Sequence, residues 1–217
     1  MAGDIDHKSV ARAYAFWAPM YDFVFGAVFD AGRRASIAAA EKACGPQGGR
    51  ILEVGVGTGI SLPDYVRIHK IVGVDLSEPM LRKAQDKVAE HKLSNVEALC
   101  VMDAERMALP DKSFDVVVAQ FVITAVPHPE ATLDEFARVI KPGGEIILVN
   151  HIGAESGPRR IFEICFAPLA QLLGWRPGFR FGRLSDWAMR HGGVRLVERR
   201  PMPPMGHFAL VRFKRSA

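Results

Sequence analysis

The sequence is short of several features that would mark particular classes of protein. It holds three cysteines in 217 residues, Cys44, Cys100 and Cys165, and their wide, irregular spacing gives neither a disulfide framework nor a zinc-ligand pattern. No metal site is expected, and a reducing cytoplasm is the natural compartment. The chain opens with Asp4 and Asp6 where a secretory signal would carry basic residues and a short apolar core. No uninterrupted apolar run reaches the 18 or so residues of a spanning helix, so contact with a membrane is open but a crossing is not expected. A second domain is not expected either, because this length suits one α/β domain with a substantial core and room for a small insertion.

What is present centres on Arg50-Ile-Leu-Glu-Val-Gly-Val-Gly-Thr-Gly59, a short apolar strand that carries Glu53 and runs into alternating glycines. Gly55, Gly57 and Gly59 lack a Cβ, so a ligand can approach the main chain closely there. A dinucleotide fingerprint would need G-x-G-x-x-G, and Ile60 stands where its third glycine belongs. A pyrophosphate is therefore not favoured. Glu53, at the mouth of the strand, would repel phosphate and suits a ligand with an ammonium and a sulfonium. A helix is expected from about Ile60, with its N-terminal amides turned to the ligand.

The net charge of +4 conceals an asymmetry: residues 157–217 hold 12 Lys/Arg against 3 Asp/Glu, whereas residues 1–156 hold 16 against 21. Taken alone, a basic C-terminal third is compatible with nucleic acid, with an anionic membrane surface, or with solubility.

Along the chain, Lys8 to Lys42 is dense in aromatics, with Tyr14, Phe16, Trp17, Tyr21, Phe23, Phe25 and Phe29 inside sixteen residues. Pro19 should separate one helix from the next. Tyr14 and Trp17 would share one helical face and Tyr21 and Phe25 another, as core packing or as an amphipathic lid that meets lipid. Lys70 to Asp75 reads as a second buried strand whose terminal acid is placed to hold ribose hydroxyls, with Ser77 as the next helix's N-cap. Val96 to Val101 reads as the third strand, Phe114 to Ala119 as a central parallel strand, Pro129 to Ile140 as a helix, Lys141-Pro-Gly-Gly144 as its stop, and Glu145 to Val149 as the fifth strand. Asn150 and His151 leave that strand towards the presumed pocket. Pro158 to Arg183 reads as a basic, aromatic insertion containing a helix pair that lines an apolar cavity or meets lipid. Its Arg159 and Arg160, with Arg180 and Arg183, can hold lipid phosphates. Val194 to Arg200 and His207 to Phe213 supply two last strands as a hairpin-like edge.

E-x-G-x-G-x-G from Glu53 to Gly59, the acid at Asp75 and L-D-E-F-A-R-V-I-K-P-G-G from Leu133 to Gly144 together resemble the class I S-adenosylmethionine-dependent methyltransferases over roughly residues 50–150. The string Tyr14 to Asp22 resembles the entry motif of quinone methyltransferases and of bacterial phospholipid N-methyltransferases, and the whole chain is most similar to the Rhodobacter-type phosphatidylethanolamine N-methyltransferases. The resemblance implies a Rossmann-like, mostly parallel seven-stranded α/β sheet with N-terminal lid helices. It implies a single domain: lid or membrane-contact helices at 1–45, a cofactor core at 50–150, a substrate insertion at 155–185 and final strands at 194–213. It implies S-adenosylmethionine as cofactor, S-adenosylhomocysteine as product, and cofactor contacts from Glu53, Gly55, Gly57, Gly59, Asp75, Leu76, Met80, Asp103, Ala104 and Gln120, with Glu105 a weaker candidate than Asp103. Tyr14, Tyr21 and His151 become candidates for proton removal, and Trp17, Asn150, Arg159, Arg160, Arg180 and Arg183 for the acceptor. The implied partner is a phospholipid at an anionic surface, with the protein cytoplasmic and peripheral to the inner membrane, and neither nucleic acid nor a protein partner is expected. A quinone C-methyltransferase and a catalytically silent lipid-binding module are the alternatives.

Overall fold

Seven strands form one sheet in the order β3-β2-β1-β4-β5-β7-β6. A computed structural model describes residues 21–153, 179–203 and 206–217, and of residues 21–28 the backbone alone. The strands are β1 (Arg50–Val54), β2 (Lys70–Asp75), β3 (Val96–Val101), β4 (Phe114–Gln120), β5 (Ile140–His151), β6 (Val194–Met202) and β7 (Phe208–Arg215). β1 to β5 pair in parallel, and β7 lies antiparallel between β5 and β6. The last two strands are thus an antiparallel pair, as expected, but only β6 forms the edge.

Alternate residues face opposite sides of a strand, and the sequence fills both sides with apolar groups. Ile51, Ile71, Val116, Val118, Ile147 and Val149 join one core cluster, and Leu52, Val54, Val72, Val74, Val117 and Ala119 join the other. The helices α1 (Tyr21–Cys44) and α2 (Glu78–Glu90) cover the first face; α3 (Pro129–Val139) and α4 (Phe181–His191) cover the second. This is the three-layer answer to a sheet that is apolar on both sides. Trp187 of α4 donates Nε1–H to Asp134 of α3 at 2.7 Å, tying the two helices of one layer together.

α1 is built from good helix formers, with Ala31, Ala35 and Ala38 to Ala40 in its second half, and ends at Gly45, whose φ is +75°. Its polarity matters. Its last residue, Cys44, meets Gly49 before β1, whereas Phe29 stacks on Phe121 after β4. The helix therefore runs opposite to the parallel strands, and Tyr21 lies eight residues, about 12 Å, beyond Phe29 on the side of the strands' carboxyl ends.

Two expectations are corrected. No α-helix follows the glycines: the crossover from β1 to β2 contains only a 3-10 turn, Leu62–Asp64, closed by Tyr65 in an extended conformation. The fifteen residues between Val54 and Lys70 are occupied by the glycine turn, this single 3-10 turn and the turns that lead back to β2. The Lys141 to Gly144 turn does not separate α3 from β5 but is absorbed in the strand: Ile140 pairs with Phe114, the register slips, and pairing resumes at Glu145 with Val116. Gly143 takes φ +78° inside that bulge. The expected first helix, before Pro19, and the helix pair of the insertion lie outside the described residues.

Candidate active site

The sheet order reverses between β1 and β4, since the chain moves from β1 towards β3 and then returns to β4 and β5. In an open parallel sheet, the crevice at the carboxyl ends of such a strand pair is where ligands bind. Gly55 and Gln120 stand at those two ends.

The three glycines of the turn have different duties. All have positive φ, +68°, +56° and +72°. A Cβ on Gly55 would lie 2.2 Å from Val122 Cγ2, and one on Gly59 would lie 2.9 to 3.1 Å from Leu62 and Ala84, so these two are glycine because protein packs on them. A Cβ on Gly57 would meet nothing nearer than 4.0 Å. Gly57 is the place where the backbone is left open to a ligand.

Asp75 closes the turn. Its Oδ2 accepts from the Gly57 amide at 2.9 Å and its Oδ1 from the Ser77 amide at 2.8 Å. Burial pushes its carboxyl upward, and these amide bonds pull the other way. Each oxygen has a second lone pair, so hydroxyl donors can still be received. Ser77 is the N-cap of α2 but makes no side-chain cap bond; Asp75 serves its amide instead.

Glu53 is only 3% exposed, beneath the turn rather than open at its mouth. Burial pushes its carboxyl up to about 7, against the pull of Ser61, Tyr65 and Arg33. Ser61 donates Oγ–H to Oε1, while Oε2 and the Tyr65 hydroxyl are buried beside each other with no other described partner. Arg33 of α1 ion-pairs with Asp30 and Asp64 close by. A carboxyl so placed is only partly ionised near neutral pH and gains charge when a cation arrives, which fits the ammonium of an amino-acid moiety.

Leu76, 39% exposed, and Asp103 stand at the carboxyl ends of β2 and β3. Asp103 accepts from the Glu105 amide at 2.9 Å, and Ala104 packs at the core's margin. Glu105 binds His128 through both oxygens, at 2.7 and 2.9 Å, which leaves Asp103 as the acid of this end. Met80 is 3% exposed, inside the protein, and Leu76 is the accessible apolar side chain here. The Gln120 Nε2 is buried without a described partner.

On the acceptor side, Asn150 is 1% exposed, and neither its amide oxygen nor its nitrogen has a described partner. His151 points to the opposite face of β5, stacked on His207 (6.2 Å between centroids) and edge-on to Phe208 (6.1 Å). Arg183 is committed to Glu130 through Nε and Nη2. Arg180 and Arg183 line a groove of about 860 Å³ between α3 and α4, with Phe179, Asp186 and Arg190. Tyr14, Trp17, Arg159 and Arg160 lie outside the described residues, and Tyr21 is placed by its backbone alone. Sequence reasoning missed Ser61 and Tyr65, whose only signal was proximity to the glycine turn, and missed Arg33 and Phe121 altogether.

The sequence profile of the methyltransferase domain family matches residues 52–148. A phosphatidylethanolamine N-methyltransferase of Cereibacter sphaeroides is 41% identical over 207 residues, covering 95% of this chain and 98% of that protein. This chain belongs to the class I S-adenosylmethionine-dependent methyltransferase family. A ubiquinone/menaquinone biosynthesis C-methyltransferase of Cupriavidus necator is 27% identical over 176 residues, 75% of this chain and 71% of the relative. The solved Haemonchus contortus phospholethanolamine N-methyltransferase 2, in complex with phosphomonomethylethanolamine and S-adenosylhomocysteine, superposes with a TM-score of 0.70 at 17% identity, over 97% of this chain and 58% of that one. That likeness is one of fold. The methyltransferase's cofactor is S-adenosylmethionine, and the open Gly57, the lone-pair capacity of Asp75 and the buried Glu53 carboxyl fit a close main-chain approach, its ribose and its ammonium.

Proposed function

We propose that this protein methylates the amine of phosphatidylethanolamine stepwise to phosphatidylcholine, as a cytoplasmic enzyme held at the anionic face of the inner membrane. The carrying observation is the span of the 41% identity. At 95% of the chain, it includes most of both segments that flank the cofactor core, and those segments select the acceptor. The quinone methyltransferase relative covers less of the chain at lower identity. Among the described residues, no helix is long and apolar enough to cross a membrane.

The bound cofactor supplies an electrophilic methyl on a sulfonium. Asp75 and Asp103 are assigned to the nucleoside, Glu53 to the amino-acid end, and Gly57 to the close main-chain approach, with Leu76 offering its apolar side chain beside them. The primary amine of the acceptor must lose a proton first. With a reference pKa near 10.4, this costs about 4–5 kcal/mol at pH 7. Correct positioning is worth roughly 7–11 kcal/mol, so orientation outweighs the base. His151, backed by His207, and Tyr21, on the helix that enters from the strands' carboxyl edge, are assigned to proton removal, together with Tyr14. Asn150 is assigned to the acceptor's polar headgroup. Trp17, Arg159, Arg160 and Arg180 are assigned to the lipid surface, with Arg183 held in place by Glu130.

The test is transfer of label from S-adenosylmethionine into anionic liposomes containing phosphatidylethanolamine, resolved on a thin-layer plate. Mono-, di- and trimethylated lipids are expected. Label appearing solely in demethylated quinone would transfer the assignment to C-methylation, and no label in either with cofactor binding intact would favour a silent lipid-binding module.

A further inference from the structure

Three described residues other than glycine have positive φ: Lys92, Lys112 and Phe121. The first two are exposed turn lysines. Phe121, at φ +61°, is a large aromatic immediately after β4, at the point where the sheet order reverses. A bulky residue in this conformation is an outlier that its surroundings must hold in place.

The consequence of that φ is visible in the side-chain alternation. Val116 and Val118 face α1, and Val117 and Ala119 face α3; an unbroken strand would send Phe121 to the α3 side. The kink returns its ring to the α1 side, where it packs with the cluster of Phe29 and Phe208, and sends Val122 to the other. Phe121 and Phe29 stack with centroids 4.1 Å apart, and Phe208 meets both edge-on at 5.4 and 5.6 Å. The Phe121 amide donates to the Val149 carbonyl at 2.6 Å. One turn along α1, a Cβ on Gly32 would come within 2.7 Å of Val149, so the helix sits as low on the sheet here as a helix can. The next residue, Val122, fills the space that a Cβ on Gly55 would need. A continuous path of contact thus joins α1 to the first glycine of the cofactor turn through two adjacent residues.

We propose that Phe121 is a positioning residue that transmits the seating of α1, the helix that carries Tyr21 over the carboxyl edge, to Gly55 and the cofactor turn. Cofactor affinity and the docking of α1 are then one coupled property. The coupling rests on the family's cofactor site and not on the identity of the acceptor, so it stands or falls apart from the lipid assignment.

The test is calorimetric titration of S-adenosylhomocysteine into the full chain, well below the melting temperature of every variant. Phe29→Ala and Phe121→Ala are each expected to weaken binding about three- to ten-fold, the range available to an aromatic pair, and the double variant no more than the worse single one, as for residues acting as a unit. Phe121→Tyr should bind as the parent does. Phe121→Gly, which relaxes the backbone but lacks the ring, should remain weak. Where an alanine variant fails to fold, the pair Phe29→Leu and Phe121→Leu is judged on the same non-additivity. Unchanged affinity in Phe29→Ala, factors that multiply in the double variant, or parental affinity in Phe121→Gly would overturn the proposal.

Discussion

Glu53 carries the sharpest consequence at the scale of one residue. Its carboxyl is raised from 4.5 to about 7 by burial, so the folded protein holds its proton more tightly than the unfolded chain does. The stability this gives is fully present below about pH 4.5 and is lost as the pH rises through about 7. At 1.36 kcal/mol per unit the loss is on the order of 3 kcal/mol. Glu53→Gln removes the charge and keeps an acceptor for Ser61. Its denaturation free energy should match the parent near pH 4 and exceed it increasingly up to pH 7, with a plateau above; a difference that does not vary with pH would contradict the burial argument. The same residue predicts proton release on cofactor binding. An arriving ammonium favours the ionised carboxylate, so about half a proton should leave per cofactor bound at pH 7. Titration calorimetry in buffers of different ionisation enthalpy measures that number, and Glu53→Gln should abolish it while weakening affinity.

At the scale of the element, the glycine turn separates folding from binding. Gly59→Ala meets both a positive φ and contacts near 3 Å with Leu62 and Ala84, and should cost about 2–5 kcal/mol of stability. Gly57→Ala meets only the φ, about 1–2 kcal/mol, but places a methyl where the ligand approaches. It should lose at least about ten-fold in cofactor affinity, or 1.4 kcal/mol, and remain folded by thermal melting. A Gly57→Ala variant that binds normally would remove Gly57 from the site. Such contrasts mark what was legible beforehand. β1, β2, β4 and β5 were readable because a strand buried on both faces is a near-continuous apolar run, as in Phe114 to Ala119. β3, at the sheet's half-exposed edge, was readable from its shorter apolar stretch, and the glycines announced the turn. The missing helix after Ile60 was not readable, since glycine turns precede helices and 3-10 turns alike. The burial of Glu53 depends on Tyr65, Ser61 and the distant Arg33 converging beneath the turn, and no local pattern encodes that. Phe121 left no trace, because a positive φ at an aromatic residue has no sequence signature.

At the scale of the whole molecule, charge and aromatics are divided in the sequence between the two flanks of the cofactor core. Residues 157–217 carry a balance of +9 and residues 1–156 one of −5; the N-terminal segment is acidic at Asp4 and Asp6 but dense in aromatics from Tyr14 onward. α1 brings Tyr21 to the carboxyl edge, and the insertion returns at Phe179, whose carbonyl accepts from Gly153 beyond β5 at 2.9 Å. The described ends of the two flanks, Tyr21 on one and Gly153 and Phe179 on the other, therefore lie at the same edge of the sheet as the cofactor turn. Each basic residue near an anionic surface contributes about 1 kcal/mol and is screened by salt, whereas aromatic insertion is not. Deleting residues 1–20 should abolish sedimentation with anionic liposomes at high salt, where only the apolar term remains, and leave a salt-sensitive remnant at low salt. The melting temperature of the shortened chain should stay close to the parent's, since all seven strands of the sheet and the described helices that cover them lie after residue 20. Unchanged sedimentation at high salt would refute the N-terminal anchor and move the apolar contact to another segment.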